Sequence, residues 1–386
     1  MNSQLFNANL RFISLGGMCS FLSFCSAATV PPPVETIDQP ENVTDDKMKQ
    51  PNIVLIVSDE QNANMIGCMG DPYIHTPNLD ALAANGILMD NHYCASPISG
   101  PSRQTLTMGK YVSSHNVWGN NRQVCPNNTV SLPRLMQAVG YDVVLSGGMK
   151  YQGMNYGFNT YNKEKGAIIP ARNREKAPEL CVPQARKSRL SNGVGVFRDN
   201  GDELDKEFTK MGATDMSDYV DVARLDNALA FIQSRKEAKS DKPFFLLVGF
   251  MAPHYPLQST PELIAKYKGR VPMPEIPDGY LETLPLNYKH LRNERKFENV
   301  PDDVVRTARE AYYAKVEWGD QQVGKLIDAI RNSELSDNTI IIYTSDHGEN
   351  LGEHGLWWKN CLYDPAAKVP LIFNFPKRWK GGTFGV

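Results

Sequence analysis

The stretch PISGPSRQTLTMGK, Pro97 to Lys110, sets Ser99 and Gly100 ahead of Pro101 and follows them with Ser102 and Arg103. It reads as a stiffened, cationic turn built around one serine. A serine hydroxyl is a weak nucleophile near neutral pH and needs activation, whereas a guanidinium offers a planar cation to an oxyanion or a carboxylate. Acids stand at two other places. Asp59-Glu60-Gln61 follows the apolar run NIVLIVS, and Asp346-His347-Gly348-Glu349 follows NTIIIYTS. An Asp and a His just past one buried strand, facing an Asp past another, can hold a hard divalent cation such as Ca²⁺ or Mg²⁺ through carboxylate oxygens. Taken singly, each acid also fits a helix cap or a solvated turn.

Buried strands must position these groups. NIVLIVS (Asn52 to Ser58), KPFFLLVGF (Lys242 to Phe250) and NTIIIYTS (Asn338 to Ser345) are continuous apolar runs rich in β-branched residues, as in strands covered on both faces. Between them lie amphipathic stretches at Asn78 to Gly86, Ser131 to Gly140, Asp221 to Arg235 and Ala308 to Arg331. Strands alternating with helices predict an α/β fold with a central, mostly parallel sheet flanked by helices, and no internal repeat is evident. In such folds functional groups gather past the carboxyl ends of the strands, where both acid clusters fall.

The chain has 386 residues, 41% hydrophobic and 22% charged, enough for one large domain with a substantial core. A net charge of −2 gives no long-range attraction to nucleic acid or anionic membranes, so anion binding has to be local. Residues 1–28 read as an export signal: Arg11, the apolar run FISLGGMCSFLSFC, then small residues ending at Ala28. The run is short for a bilayer span, and the bulky Phe24 disfavours a lipid anchor on Cys25. A periplasmic or extracellular location follows. Residues 29–50, rich in Pro and charge, read as a loose linker, leaving residues 51–386 as the folded domain. Loss of the signal leaves Cys68, Cys94, Cys125, Cys181 and Cys361, an odd set whose pairing spacing does not fix.

The string Ser99-Gly100-Pro101-Ser102-Arg103, with Gly109 further on, resembles the maturation signature of the type I sulfatases of the alkaline-phosphatase superfamily, in particular its arylsulfatase and choline-sulfatase members. PNIVLIVSDEQ, HTPNLDALAANG, GYDVVLSGG, APHYPL, TSDHGENLGEHGLWWK and KVPLIFNFP resemble family segments in family order, from about Pro51 onward. The resemblance implies an alkaline-phosphatase-like sandwich fold and a sulfuric ester hydrolase, with Ser99 oxidised to formylglycine by a serine-type, oxygen-independent bacterial maturation enzyme. It further implies a divalent cation, Ca²⁺ with Mg²⁺ or Mn²⁺ as alternatives, on Asp59, Glu60, Ser99, Asp346 and His347. Arg103 is expected to hold the hydrated aldehyde. By the same resemblance His254 faces the sulfate or leaving oxygen, and Lys359 neutralises sulfate charge. His115 reads as structural. The implied substrate is a sulfated small molecule or glycan.

Two departures stand out. Where relatives carry Gly-Lys-x-His, GYDVVLSGGMKYQG places Gly148 at the lysine and Lys150 at the histidine, and if the segment is a strand, Lys150 shares a face with residue 148. The sequence also ends at Val386, which predicts a missing C-terminal subdomain and an exposed apolar edge. Residues 159–218, with many cations and no clear period, read either as an insertion loop able to meet a polyanionic sugar or as a solvated loop. Two other functions fit the motifs: a phosphodiesterase or phosphonate monoester hydrolase of the same superfamily, and a non-catalytic relative that binds sulfate esters.

Overall fold

The computed structural model describes residues 49–120, 123–124, 129–149, 156–170, 182–183, 210–238 and 240–376; the expected export signal and most of the linker lie outside them. Eight strands form the central sheet: β1 (Asn52–Asp59), β2 (Ile87–Leu88), β3 (Asp142–Gly147), β4 (Asn159–Asn162), β5 (Ala167–Pro170), β6 (Phe244–Pro253), β7 (Thr339–Ser345) and β8 (Leu371–Asn374). Their order is β2-β8-β7-β1-β6-β3-β4-β5. β7, β1, β6, β3 and β4 run parallel, while β8 and β5 pair antiparallel with their inner neighbours. The three apolar runs thus become adjacent central strands.

Alternation along those strands explains why they are apolar throughout. Val54 and Ile56 of β1, with Leu246, Val248, Ile341 and Tyr343, pack on one face against α1 (Pro77–Ala84), α4 (Val220–Ala238) and α5 (Asp302–Arg331). Leu55 and Val57, with Phe245, Leu247 and Val143, face Leu106 of α2 (Ser99–Met108) and Leu132 and Met136 of α3 (Leu132–Ala138). Side chains on a strand alternate between faces, so helices on both sides require apolar residues at every position.

Helix α5 starts at Asp302, upstream of the amphipathic pattern, with Asp302 and Asp303 in its first turn, where acids complement the helix dipole. Further along it, the Asp320 carboxylate accepts the backbone N–H groups of Asn78 (3.2 Å) and Leu79 (2.9 Å) and the Asn78 amide (2.7 Å), so one helix caps the start of another. Asp320→Ala leaves those buried donors unpaired, and an expected loss of about 2 kcal/mol is readable by urea denaturation. An unchanged midpoint would show that water replaces the cap.

One expectation needs correction. Residues 159–170, placed at the start of an insertion loop, form strands β4 and β5 at the sheet edge, because Thr160, Tyr161, Ile168 and Ile169 suit a ladder on either side of the turn at Gly166. Most of the remaining insertion lies outside the described residues. Strand β8 pairs on its outer side with β2, Ile372 opposite Leu88 and Phe373 opposite Ile87.

Candidate active site

The register of the sheet builds the site. β1 and β7 pair in parallel with Ser58 opposite Ser345, so the next residues, Asp59 and Asp346, leave the same edge side by side. On the other flank of β1 the register to β6 shifts between Val57 and Asp59, which brings Pro253 opposite Asp59 and lets the His254 N–H donate to the Asp59 carbonyl at 3.1 Å. Three strand ends thereby deliver two acids and a histidine to one place. Glu60 follows with φ of 70°, a left-handed conformation uncommon for its residue type, held by its N–H on Asp346 Oδ1 and by the Tyr312 hydroxyl on its carbonyl.

The serine motif is the first turn of α2 rather than a free-standing turn, with Ile98 as an extended N-cap and Gly109 closing the helix at φ of 64°. Ser99 and Arg103 are spaced one helical turn apart and share a face. The Ser99 hydroxyl is fully buried, 2.9 Å from His347 Nε2 and 3.4 Å from Lys359 Nζ. Arg103 reaches Asp346 Oδ2 through Nε (2.7 Å), Asp59 Oδ2 through Nη2 (2.8 Å) and the Gly148 carbonyl through Nη1 (2.7 Å). Its guanidinium therefore clamps the two strand-end carboxylates, partners the sequence did not supply. Gly100 has no room for a side chain: an added Cβ would lie 2.9 Å from both the Gly119 carbonyl and the Asn120 side-chain oxygen.

The donor set fits a hard divalent cation. Ligand atoms of Asp59, Asp346 and His347 lie within 4.8 Å of one another, as do those of Asp59, Glu60 and His254, and all five residues are buried. His347 Nδ1 donates to the Gly348 carbonyl at 2.9 Å, and burial pulls the ring below its ordinary pKa, so the neutral imidazole aims its Nε2 lone pair at the carboxylates. Among the described residues, three buried carboxylates are in contact with two fixed cations, Arg103 and Lys359, leaving negative charge to be neutralised. Burial alone would raise the Glu60 carboxyl, but His254, Lys359 and His347 outweigh it and hold the group at about 2. Lys359 is correspondingly raised: its desolvation is overcome by Glu60, Asp59 and Asp346.

Eight of the sequence-derived site residues thus meet: Asp59, Glu60, Ser99, Arg103, His254, Asp346, His347 and Lys359. Lys150 lies outside the described residues, and β3, on which its shared face with residue 148 depended, ends at Gly147. At Gly148, a Cβ would sit 2.8 Å from the Arg224 guanidinium, which is tied to Asp221 and the Gly249 carbonyl, so a side chain there has to displace an arginine. His115 is structural: Nε2 meets the Thr105 hydroxyl and Nδ1 accepts the Val117 N–H. The sequence reading missed Tyr312, Lys315, Asp221 and Arg224. A signal existed for Lys315, which falls on the stripe of Ala308, Ala311, Tyr312 and Trp318 that α5 buries.

Residues 51–383 match the family model described as Sulfatase. The chain belongs to the sulfatase family. Among curated sulfatases, it is 29% identical to human iduronate 2-sulfatase, over 85% of this chain and 60% of that one. It is also 29% identical to the choline-sulfatase of Rhizobium meliloti (strain 1021), over 85% and 63%. The chain therefore spans less than two thirds of the length of either relative. Its fold is shared by the phosphonate monoester hydrolase of Agrobacterium radiobacter, with TM-score 0.60, 20% identity and coverage of 85% of this chain and 68% of that one. The alkaline-phosphatase-like architecture expected of a sulfatase is the one observed. Among the described residues no helix is long and apolar enough to cross a membrane, and Cys68, Cys94 and Cys361 are free.

Proposed function

We propose that this sulfatase hydrolyses a sulfate ester, with position 99 as the nucleophile after oxidation to formylglycine. The observation that carries the reading is the buried Ser99 hydroxyl between His347 Nε2 and the Lys359 ammonium, beside the Asp59 and Asp346 carboxylates. Hydrated, the aldehyde presents two hydroxyls: one attacks sulfur as the ester S–O bond breaks, and the other later loses its proton to expel sulfate and restore the aldehyde. A cation on Asp59, Glu60, Asp346, His347 and residue 99, Ca²⁺ before Mg²⁺ or Mn²⁺, would polarise sulfate oxygens and acidify the attacking hydroxyl.

The chain's own groups do the rest. Lys359 lies 3.4 Å from the nucleophile oxygen, where its charge can meet the sulfate. His254 Nδ1 donates to the Tyr255 carbonyl at 2.8 Å, and Nε2 stands 3.5 Å from Glu60 Oε1, which favours a proton on that nitrogen for the departing oxygen. Arg103 keeps the two acids parallel. Lys150 is assigned to the same anion: its replacement by Ala is expected to slow turnover by about 10-fold or more, and an unchanged kcat would remove it from the site. The substrate is read as a sulfated small molecule or glycan, the maturation partner as a serine-type formylglycine-generating enzyme, and the location as periplasmic or extracellular.

Matched phenyl sulfate, phenyl phosphate and phenyl phosphonate test the function. Sulfate release at least about 10²-fold faster than phosphate or phosphonate turnover is expected. The reverse order would favour the phosphonate hydrolase reading, and binding without turnover by fully matured protein would favour a binding relative.

A further inference from the structure

We infer that Lys315 is a positioning residue for His254, acting through the backbone of the loop that carries it; this rests on the reading of His254 as the group facing the leaving oxygen. Lys315 sits in the middle of α5 and is wholly buried. Its ammonium donates to the His254 carbonyl at 2.7 Å and to the Pro256 carbonyl at 2.6 Å, and lies 4.5 Å from the centroid of the Tyr219 ring. A buried ammonium is costly to desolvate, so a sequence that keeps one must gain something that an apolar residue cannot supply. Here the gain is two hydrogen bonds on either side of Tyr255, kept although burial pulls the amine down to about 7 against Asp221, Glu60 and Asp59.

The other end of the loop is held by an opposite charge. Asp221, at the start of α4, accepts the N–H groups of Met251 (2.7 Å) and Ala252 (2.7 Å). An acid on one helix and a lysine on another therefore fix the backbone before and after Pro253. His254 follows the strand end without a regular element of its own, and its ring packs on Tyr255 with centroids 4.1 Å apart. Release of the His254 carbonyl frees the peptide that sets the ring's direction, while Asp59, Asp346, His347 and the serine helix keep their own supports. The expected deficit is thus confined to proton delivery to the departing oxygen.

Such a deficit leaves a signature that general loosening does not. A poor leaving group needs the proton, and a good one departs without it. Wild type, Lys315→Met and His254→Ala, each with maturation at position 99 verified by peptide mass, are assayed on 4-nitrophenyl, phenyl and 4-methoxyphenyl sulfate. Lys315→Met is expected to lose about 30-fold in kcat/KM on 4-methoxyphenyl sulfate but under about 3-fold on 4-nitrophenyl sulfate. Its plot of rate against leaving-group acidity steepens as that of His254→Ala does, and the double variant is no worse than His254→Ala alone. If Lys315→Met does not fold, Lys315→Gln, which keeps an N–H donor, should show a smaller steepening of the same sign. Equal losses on all three esters, or additive losses in the double variant, overturn the inference and leave the sulfatase reading standing. A matured wild type that releases no sulfate from any of them sinks both.

Discussion

Ser99→Ala is expected to lose at least about 10⁴-fold in sulfate release while unfolding within about 1 kcal/mol of wild type, a separation of activity from stability that few buried positions would show. The geometry gives the reason. The hydroxyl lies at the first turn of α2, wholly enclosed, and meets His347 Nε2 and Lys359 Nζ, which belong to the site rather than to the core. Its removal costs the fold little and the reaction its nucleophile. The paired measurement is the mass of a peptide spanning position 99 from protein co-expressed with a serine-type maturation enzyme. The wild-type peptide should be lighter by one molecule of hydrogen, and the alanine variant should show no such change. Comparable turnover by the alanine variant would move the nucleophile elsewhere, and comparable turnover by protein whose serine is wholly unmodified would remove the formylglycine from the mechanism.

Legibility in the sequence followed the range of the interactions. The central strands were readable because burial on both faces forces unbroken apolar runs, and the acids at their ends were readable because parallel strands finish at a common edge. Composition alone could not bring Asp59 and Asp346 together; the register of Ser58 against Ser345 does that. The extra residues of β6 between Gly249 and Pro253, opposite Val57 to Asp59, carry the β6 loop toward the site and leave no mark in residue type. Arg103 was found, but its two carboxylate partners were not. Its motif fixes position along α2, whereas its bonds to Asp59 and Asp346 depend on how that helix meets the sheet. The edge hairpin of β4 and β5 escaped notice because strands of four residues carry too little pattern to outweigh the charged turn between them.

Arg103→Met should be among the most destabilising single changes, and a divalent cation should repair part of the damage. The guanidinium is almost wholly buried and reaches both strand-end carboxylates, so its loss leaves Asp59 and Asp346 charged, desolvated and facing each other. Removing one partner from such a cluster costs about 3–5 kcal/mol, well beyond the contribution of an exposed pair. If the same carboxylates hold Ca²⁺, wild-type Tm falls on treatment with EDTA and returns with millimolar Ca²⁺, because a ligand that binds only the folded chain stabilises it by mass action. Arg103→Met should show a larger difference between the two conditions, since the ion then offsets charge that the arginine no longer does. Asp346→Asn should show a smaller one, because it removes a ligand and an excess charge together. A Tm that ignores both EDTA and Ca²⁺ in all three proteins would mean that these acids hold no Ca²⁺, and the reaction would have to polarise sulfate with the chain's own cations.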